Sequence, residues 1–387
     1  MTESTSEYGL DRPRRVAVIG VTGSVGRQAV EVIERSPRLE MVGAVALRDA
    51  GGLAAAGARL GCEHLALIET ATDDRRSWAD PTPERFLHAV KPDVVLNAVV
   101  GVAGLAWTLA AIDAGHDIAL ANKESLVAGG RVVNERLAAS SSRLLPVDSE
   151  HAALHQLLEG HRHHAQTLTI TASGGPFRGR RWADLHDVTV EAAMAHPTWA
   201  MGNKNTLDSA TLVNKGLELI EASYMFDWPQ ERIEIAVQPR SVIHAAITLR
   251  DGTHVANVSP PDMRRSIAYA LHHPECVDIG LPHVPLAGLG TLELEPEPED
   301  FPGLALSRAA LRAQDHGGTA AFNAANEEAV AAFIAGRIRF TDITEIIARA
   351  LDDLAPTPVT TLADVLAADA RARQTARAVI SARAVSS

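Results

Sequence analysis

Two carboxylates stand two residues apart where a predicted strand ends. The segment LPVDSEH at 145–151 leaves an apolar strand, predicted over 143–147, and enters Asp148 and Glu150. In an extended chain, residues i and i+2 point to the same side, and converging carboxylates repel each other unless a cation lies between them. Carboxylate oxygens are hard ligands that favour Mg²⁺ or Mn²⁺. The pattern predicts a divalent-metal site; the alternative is a solvated turn before a helix, with an Asp or Ser as its cap.

A further carboxylate lies on a helix predicted over 208–221. The spacing of Asn214, Lys215 and Glu218 places them on one face of that helix, away from its apolar stripe. Lys215 is a suitable phosphate ligand, and Glu218 is a third candidate for the metal site. The alternative is a lysine–glutamate pair on the surface, which such spacing usually indicates.

A glycine-rich turn near the N-terminus predicts a bound dinucleotide. Gly20, Gly23 and Gly26 follow a strand predicted over 15–19 and open a helix predicted over 25–35. Glycines let the backbone approach a pyrophosphate, and the helix N-terminus supplies N–H donors. The alternative is a tight turn that binds nothing.

The end of the second predicted strand, 41–47, bears on the choice of cofactor. Arg48 there favours the 2′-phosphate of NADP, whereas Asp49 favours the 2′-hydroxyl of NAD. The loop alone leaves both open. Arg48 inclines the prediction toward NADPH.

Three more segments carry polar or aromatic residues where a core needs none. Residues 121–125, with the sequence ANKES, follow a predicted strand and indicate either a ligand site or a capped helix start. Ser173, followed by two glycines, can form an anion-binding nest. The loop at 196–204 carries Trp199, either a lid residue or a part of the core.

The order of predicted elements indicates the fold. Near-continuous apolar strands alternate with helices up to residue 150, which predicts a parallel, doubly wound sheet. Four strands then follow, two of them joined by a hairpin turn at 250–253, and they indicate a mixed α+β domain. A Pro- and Gly-rich stretch ends near residue 302, and Ala-rich periodic segments beyond it predict a small helical bundle.

Composition excludes several classes of protein. The chain has 387 residues, a net charge of −12 and two cysteines, which argues against nonspecific nucleic-acid binding and a disulfide framework and favours the cytoplasm. No apolar run approaches the length of a membrane span, and the N-terminal segment lacks the apolar core of a signal peptide.

Taken together, these motifs make the chain resemble the 1-deoxy-D-xylulose 5-phosphate reductoisomerases. The resemblance covers nearly the whole chain and several long motifs in order. They are Gly20–Gly26, Ala121–Ser125, Leu145–Ala152, Thr171–Phe177, His196–Gly202, Ser209–Glu221, Ser259–Met263 and Asn323–Glu328.

The resemblance implies a role for each matching residue. The metal ligands are Asp148, Glu150 and Glu218, and the substrate ligands are Ser149, Ser173, His196, Trp199, Ser209, Asn214 and Lys215. The residues at the cofactor are Gly20, Thr22, Gly23, Ser24, Val25, Arg48, Asn122, Lys123, Glu124, Gly202 and Met263. Lys123, Glu150 and His196 are the catalytic candidates, and which group moves the protons stays open.

The same resemblance implies a fold, a reaction and an assembly. The expected fold is α/β, with an N-terminal Rossmann-like parallel sheet, a central α+β catalytic domain and a small C-terminal helical bundle. The expected reaction is rearrangement of a phosphosugar followed by reduction with NADPH, assisted by Mg²⁺ or Mn²⁺, in isoprenoid precursor biosynthesis. The expected assembly is a homodimer. The predicted divisions are a disordered tail at 1–14, an NADPH-binding domain at 15–149, a catalytic and dimerisation domain at 150–275 with a flap at 196–206, a linker at 276–302 and a helical domain at 303–387.

Two departures from the family pattern and two alternatives stand beside this prediction. Leu47-Arg48-Asp49 replaces a more typical turn, and Asp49 is expected to repel a 2′-phosphate. Gln238-Pro239-Arg240-Ser241 also differs from the usual sequence, in a segment with no assigned catalytic role. The alternatives are another NADP-dependent oxidoreductase, which needs no three-carboxylate metal site, and a catalytically silent NADPH-binding protein, which need not keep the carboxylates or Lys215.

Overall fold

The structure is a computed structural model that describes residues 12–69, 77–79, 82–195, 202–356 and 358–384. Its strands are β1 Arg14–Ile19, β2 Leu39–Ala46, β3 Leu65–Leu67, β4 Ser77–Ala79, β5 Val94–Asn97, β6 Asp117–Leu120, β7 Leu144–Pro146, β8 Ala165–Ala172, β9 Ile233–Val237, β10 Ile243–Leu249, β11 His254–Val258 and β12 Glu295–Pro296. Its helices are α1 Ser24–Arg35, α2 Ala50–Leu60, α3 Pro83–Val90, α4 Gly104–Asp113, α5 Glu124–Ala138, α6 Ser149–His161, α7 Val190–Ala193, α8 Asn203–Ala210, α9 Val213–Phe226, α10 Met263–His272, α11 Pro302–Arg312, α12 Gly318–Ile334, α13 Asp342–Asp352 and α14 Leu362–Ala384.

The chain divides into two compact units, each made of three chain segments. Unit 1 comprises Met1–Asn122, Arg136–Asp148 and Asp262–Pro282. Unit 2 comprises Lys123–Glu135, Ser149–Pro261 and His283–Ser387. The finer functional division expected from the sequence stays a prediction.

Unit 1 is built on a seven-stranded parallel sheet in the order β4-β3-β2-β1-β5-β6-β7. The central strand β1 pairs with β2 on one side and β5 on the other, and its residues Val16, Val18 and Ile19 are fully buried. Such strands, covered on both faces, are apolar throughout because neither face meets water. The predicted doubly wound sheet is confirmed, and six of its strands end within two residues of the predicted bounds; β4 was not predicted.

Unit 1 is completed by α10, which comes late in the chain. This helix packs on α1, and its Ile267 and Leu271 are fully buried in the core of the unit. Ser36 Oγ, just after α1, lies 2.8 Å from His272 Nε2 at the end of α10.

Unit 2 contains a five-stranded mixed sheet in the order β11-β10-β8-β9-β12. Strands β8 and β9 run parallel, and β10 pairs antiparallel with β8 and β11. The predicted hairpin between β10 and β11 is confirmed. The stretch expected to be an extended linker supplies β12, which pairs with β9.

The C-terminal part of unit 2 is helical, as predicted. Helix α12 packs against α13 and α14, and Phe322, Phe340 and Ile343 are fully buried in the shared core. Among the described helices, none combines the length and hydropathy needed to cross a bilayer.

Two local expectations are wrong, and one helix was not predicted. Glu150 does not continue an extended chain, because α6 already begins at Ser149, so the same-side argument for Asp148 and Glu150 fails. The helix predicted over 208–221 is two helices, α8 and α9, separated at Leu212, whose φ of 58° is left-handed. Helix α2 was not predicted, because its glycines are typical of loops; Asp49 caps it.

Candidate active site

In unit 1, the glycine turn requires its glycines. Gly20 has φ of 87°, and a Cβ there would lie 2.6 Å from the Ala98 carbonyl oxygen. A Cβ on Gly26 would lie 2.2 Å from the Gly20 carbonyl oxygen. Only glycine permits such close approach of a strand, a turn and a helix. Helix α1 begins at Ser24, and the exposed Gly23 precedes it without a side chain to cap the first N–H groups. Thr22 and Val25 flank this exposed start.

Arg48 and Asp49, the two residues predicted to influence the choice between NADPH and NADH, interact with different partners. Arg48 forms an exposed ion pair with Glu69. Asp49 caps α2, since its Oδ1 accepts a hydrogen bond from the Gly52 N–H at 2.8 Å. Both residues follow β2, at the carboxyl end where ligands of doubly wound sheets bind.

Two other predicted cofactor residues belong to unit 1. The Asn122 amide donates to the carbonyl oxygens of Val99 at 2.7 Å and Gly101 at 3.0 Å, so it fixes the turn after β5. Met263 begins α10 and packs against the core of the unit. Their contact with a cofactor stays a prediction.

In unit 2, Lys215 of α9 joins two carboxylates. Its Nζ lies 2.8 Å from Glu150 Oε1 and also contacts Glu218 Oε2 on its own helix. The Lys215 and Glu218 residues are only 4% and 1% exposed, so the surface-pair alternative is wrong. Burial lowers the pKa of Lys215, but the charges of Glu150 and Glu218 raise it more, and the net shift is upward.

Lys215, Glu150 and Glu218 form the centre of a cluster of charged side chains, and Lys123 and Asn214 extend it. Lys123 Nζ lies 2.9 Å from Asn214 Oδ1 and 3.3 Å from Glu218 Oε1. The Asn214 amide donates to the same Glu218 oxygen at 2.5 Å. Ser149, at the start of α6, donates its hydroxyl to Glu150. The cluster therefore brings together five predicted site residues around Lys215.

Two glycines allow close packing of α9, the helix that carries Lys215 and Glu218, against α11 and α5. A Cβ on Gly216 of α9 would lie 2.9 Å from Ser307 Cβ of α11. A Cβ on Gly130 of α5 would lie 2.4 Å from the Tyr224 ring of α9. Helix α5 begins directly after Lys123, so the second contact joins the helix that follows Lys123 to the helix that carries Lys215.

The donor set fits a divalent cation. Glu150 and Glu218 share the Lys215 ammonium, so two carboxylates already converge on one positive charge. Both offer hard oxygen ligands, which suit Mg²⁺ or Mn²⁺. Asp148 immediately precedes Ser149 in the chain and is the last residue of the unit 1 segment Arg136–Asp148, which contains β7. Its role as a metal ligand stays a prediction.

A second group of predicted ligands follows β8. Ser173 Oγ accepts a hydrogen bond from the Gly175 N–H at 3.2 Å, and Gly174 and Gly175 are both left-handed, with φ of 85° and 65°. A Cβ on Gly175 would lie 2.7 Å from the Ser209 carbonyl oxygen, so the turn packs directly on α8. An open pocket of ≈ 590 Å³ is lined by this turn together with Arg178 and Arg180.

Sequence reasoning missed a buried ion network beside the cluster. Lys204 of α8 lies 2.7 Å from Asp208 Oδ2 and 3.5 Å from Glu124 Oε1, and Asn326 of α12 donates to Asp208 Oδ1 at 2.7 Å. Glu124 thus pairs with Lys204, while Gly202, another predicted cofactor residue, is the N-cap of α8. The i,i+4 spacing of Lys204 and Asp208 was the available signal.

Two predicted residues are not described. His196 and Trp199, with most of the expected flap, lie outside the described residues. The divergent segment at 238–241 is structural: Gln238 is buried, and its Oε1 accepts a hydrogen bond from the Val242 N–H at 2.8 Å.

A parallel doubly wound sheet with a glycine turn, and a buried cluster of carboxylates and lysines, are features expected of a dinucleotide-dependent enzyme of the oxidoreductase class. Comparison with known proteins gives the family. Models described as 1-deoxy-D-xylulose 5-phosphate reductoisomerase match residues 16–130, and models of its C-terminal domains match 144–226 and 258–375.

Relatives that carry this family name align with nearly the whole chain. The reductoisomerase of Mycobacterium marinum is 46% identical over 98% of this chain and 96% of its own, and that of Anaeromyxobacter dehalogenans is 44% identical over 96% and 98%. The solved Zymomonas mobilis enzyme in complex with NADPH is 36% identical, covers 95% of this chain and 99% of its own, and has a TM-score of 0.87. A reductoisomerase solved with NADPH, fosmidomycin and magnesium is 33% identical, covers 95% and 98%, and has the same TM-score of 0.87. The chain belongs to the 1-deoxy-D-xylulose 5-phosphate reductoisomerase family.

Proposed function

We propose that this protein converts 1-deoxy-D-xylulose 5-phosphate to 2-C-methyl-D-erythritol 4-phosphate, using NADPH and Mg²⁺ or Mn²⁺, in the non-mevalonate route to isoprenoid precursors. The observation that carries the proposal is the buried Lys215 ammonium between the Glu150 and Glu218 carboxylates. A catalytically silent protein has no need of two buried charge pairs, which are costly to desolvate. The solved relatives with NADPH and magnesium support the same cofactors here.

Each cofactor has a set of candidate ligands. Asp148, Glu150 and Glu218 would hold the divalent cation, which when bound supplies stabilisation of negative charge on substrate oxygens. The turn from Gly20 to Val25 would hold the pyrophosphate of NADPH, the source of hydride, with Asn122, Glu124 and Met263 nearer its nicotinamide half.

The substrate's phosphate would be bound by Ser173, Ser209, Asn214 and Lys215. The fixed turn at Ser173 packs on Ser209, so these hydroxyls are positioned before binding. Binding the phosphate away from the reacting carbons orients the substrate and lowers the entropy lost at the reaction step. Ser149 would contact the reacting end of the substrate.

Lys123 and Glu150 are the proposed proton-handling groups among the described residues. Lys123 Nζ is already close to Glu218, and Glu150 is the less buried of the two carboxylates at Lys215. Either can hold a proton at an atom near substrate oxygens. His196 and Trp199 are proposed to cover the substrate, in keeping with the sequence motif.

The assembly and location are also proposed. A homodimer is expected for the family, and both cysteines are free, as suits a reducing cytoplasm.

The test is oxidation of NADPH by the purified protein with 1-deoxy-D-xylulose 5-phosphate, after chelation and with Mn²⁺ restored. Turnover should require both substrate and metal, and the product should be identified by mass and NMR. Turnover that is unaffected by chelation would favour another NADP-dependent oxidoreductase. No turnover despite tight NADPH binding would favour the silent binding protein.

A further inference from the structure

Glu69 is held beside Arg48 by the backbone and not only by their ion pair. The parallel pairing of β2 and β3 continues beyond the strands, where the Ile68 N–H donates to Ala46 O at 3.0 Å and the Glu69 N–H donates to Leu47 O at 2.9 Å. Glu69 is thus fixed next to the residue that precedes Arg48. The backbone of Glu69 is therefore held by the sheet, and its carboxylate pairs with Arg48.

The pair is charged and exposed. Its side chains are 73% and 49% exposed, and the hydrogen bond from Arg48 lowers the pKa of the Glu69 carboxyl. Glu69 is therefore an anion at neutral pH. An exposed pair of this kind adds little to folding stability, so it can be exchanged for another partner at small cost.

Asp49 is less able to interfere than the sequence suggests. Its carboxylate is committed to the Gly52 N–H at the start of α2, where a helix N-terminus partly offsets its negative charge. Among the residues that the structure describes, the carboxylate that pairs with Arg48 is that of Glu69.

We propose that Glu69 is a specificity-determining residue that competes with the 2′-phosphate of NADPH for Arg48 and so narrows the preference for NADPH over NADH. The inference rests on the proposed function for the cofactor itself and adds a residue that sets its selectivity. When NADPH binds, Arg48 gives up its ion pair with Glu69 and pairs with the 2′-phosphate instead. The Glu69 carboxylate then stays close to that phosphate and repels it. NADH binding leaves the Arg48–Glu69 pair intact.

The experiment measures binding of 2′,5′-ADP and 5′-AMP to the full chain by calorimetry, since the first carries the 2′-phosphate and the second does not. Glu69→Gln should tighten 2′,5′-ADP about two- to five-fold, the range expected for release of one exposed pair, and leave 5′-AMP unchanged. The ratio of kcat/KM for NADPH to that for NADH should rise by a similar factor. Glu63→Gln is the matched control, because Glu63 is also exposed and the change removes the same charge.

A double variant tests whether Arg48 carries the effect. In an Arg48→Ala background, Glu69→Gln should no longer tighten 2′,5′-ADP. An unchanged or weaker affinity of Glu69→Gln for 2′,5′-ADP, while Arg48→Ala weakens it, overturns this inference and leaves the proposed function in place. Equal gains for both nucleotides, or a gain that persists without Arg48, also overturn it. Failure of the unaltered chain to bind NADPH overturns the proposed function, and this inference with it.

Discussion

Lys123 Nζ lies 3.3 Å from Glu218 Oε1, although 95 positions separate the two residues in the chain. Lys215 contacts the other oxygen of the same carboxylate, so Glu218 lies between two ammonium groups. Together with Glu150, this gives two positive charges, on Lys123 and Lys215, and two negative charges, on the Glu150 and Glu218 carboxylates, which cancel. A divalent cation and a phosphate dianion can therefore enter together without leaving the cluster strongly charged.

Replacing Glu218 by Gln should remove most of the activity. The amide keeps the shape but leaves two buried ammonium groups with less compensation, and it removes a candidate metal ligand. We expect kcat to fall at least ~100-fold, Mn²⁺ binding to weaken and NADPH binding to change little. Steady-state kinetics and calorimetry with each ligand check this.

Glu135→Gln serves as the control for Glu218→Gln, because Glu135 is exposed in a pair with Arg131 and lies outside the cluster. It should keep normal kinetics. A Glu218→Gln variant with most of its activity would remove Glu218 from the metal site.

Gly130→Ala should disturb the spacing of α5 and α9. The added Cβ would lie 2.4 Å from the Tyr224 ring, and overpacking of this kind costs ~1–3 kcal/mol of the free energy of unfolding. We expect lower stability in urea and a lower kcat. Gly160→Ala in α6 is the matched control, since a Cβ there meets nothing within 4 Å. That change should be neutral or stabilise by up to ~1 kcal/mol. Equal effects of the two changes would contradict the role of the Gly130 contact.

Asp208→Asn should destabilise unit 2. Asp208 is fully buried, forms an ion pair with Lys204 and accepts a hydrogen bond from Asn326. We therefore expect the free energy of unfolding, measured by urea denaturation, to fall by about 3 kcal/mol, the lower end of the range for a broken buried ion pair. Exposed Asp187→Asn should change little.

The same pair predicts a pH dependence. Burial lowers the pKa of Lys204, but Asp208 and Glu124 raise it more, so the net shift is upward. A raised lysine pKa contributes stability that is fully present below the unfolded value of about 10.4 and is lost as pH rises through the folded value. The stability difference between unaltered chain and Asp208→Asn should be flat through neutral pH and shrink only in strong alkali. A difference that already shrinks near neutral pH would contradict this assignment.

The two cysteines should differ in reactivity. Burial raises the pKa of Cys62 to about 11, whereas Cys276 is exposed. Since the thiolate is the reactive form, a disulfide reagent at mildly alkaline pH should modify one thiol rapidly in the folded protein and the second only after unfolding. Cys276→Ser should abolish the fast phase, and a fast phase that survives this change would place Cys62 at the surface.

Local patterns predict the sheets and the glycine turn because their signals are short-range. Alternation of apolar strands and helices gives the parallel sheet, and Gly20 and Gly26 mark a turn whose close approaches only glycine allows. The family motifs also gave the members of the cluster. They gave no indication of how it is held together.

What the sequence left open depends on tertiary packing. The same Lys–Glu spacing suits a surface pair or a buried one, and only the tertiary structure shows that Lys215 and Glu218 are buried. The break before α9 rests on left-handed Leu212, a conformation that a leucine rarely adopts and no local pattern marks. Helix α2 needs the Asp49 cap to offset its glycines.

Helix α10 follows the other elements of unit 1 by more than 100 residues in the chain. This position limits where the chain can be truncated and when unit 1 can fold during synthesis. A fragment ending at residue 148 would contain every strand of the first sheet but lack Ile267 and Leu271, which cover apolar surface of α1. Such a fragment should aggregate when expressed alone. On the ribosome, unit 1 must wait until strands β8 to β11 of the second sheet, which precede α10 in the chain, have been synthesised before its own core can close.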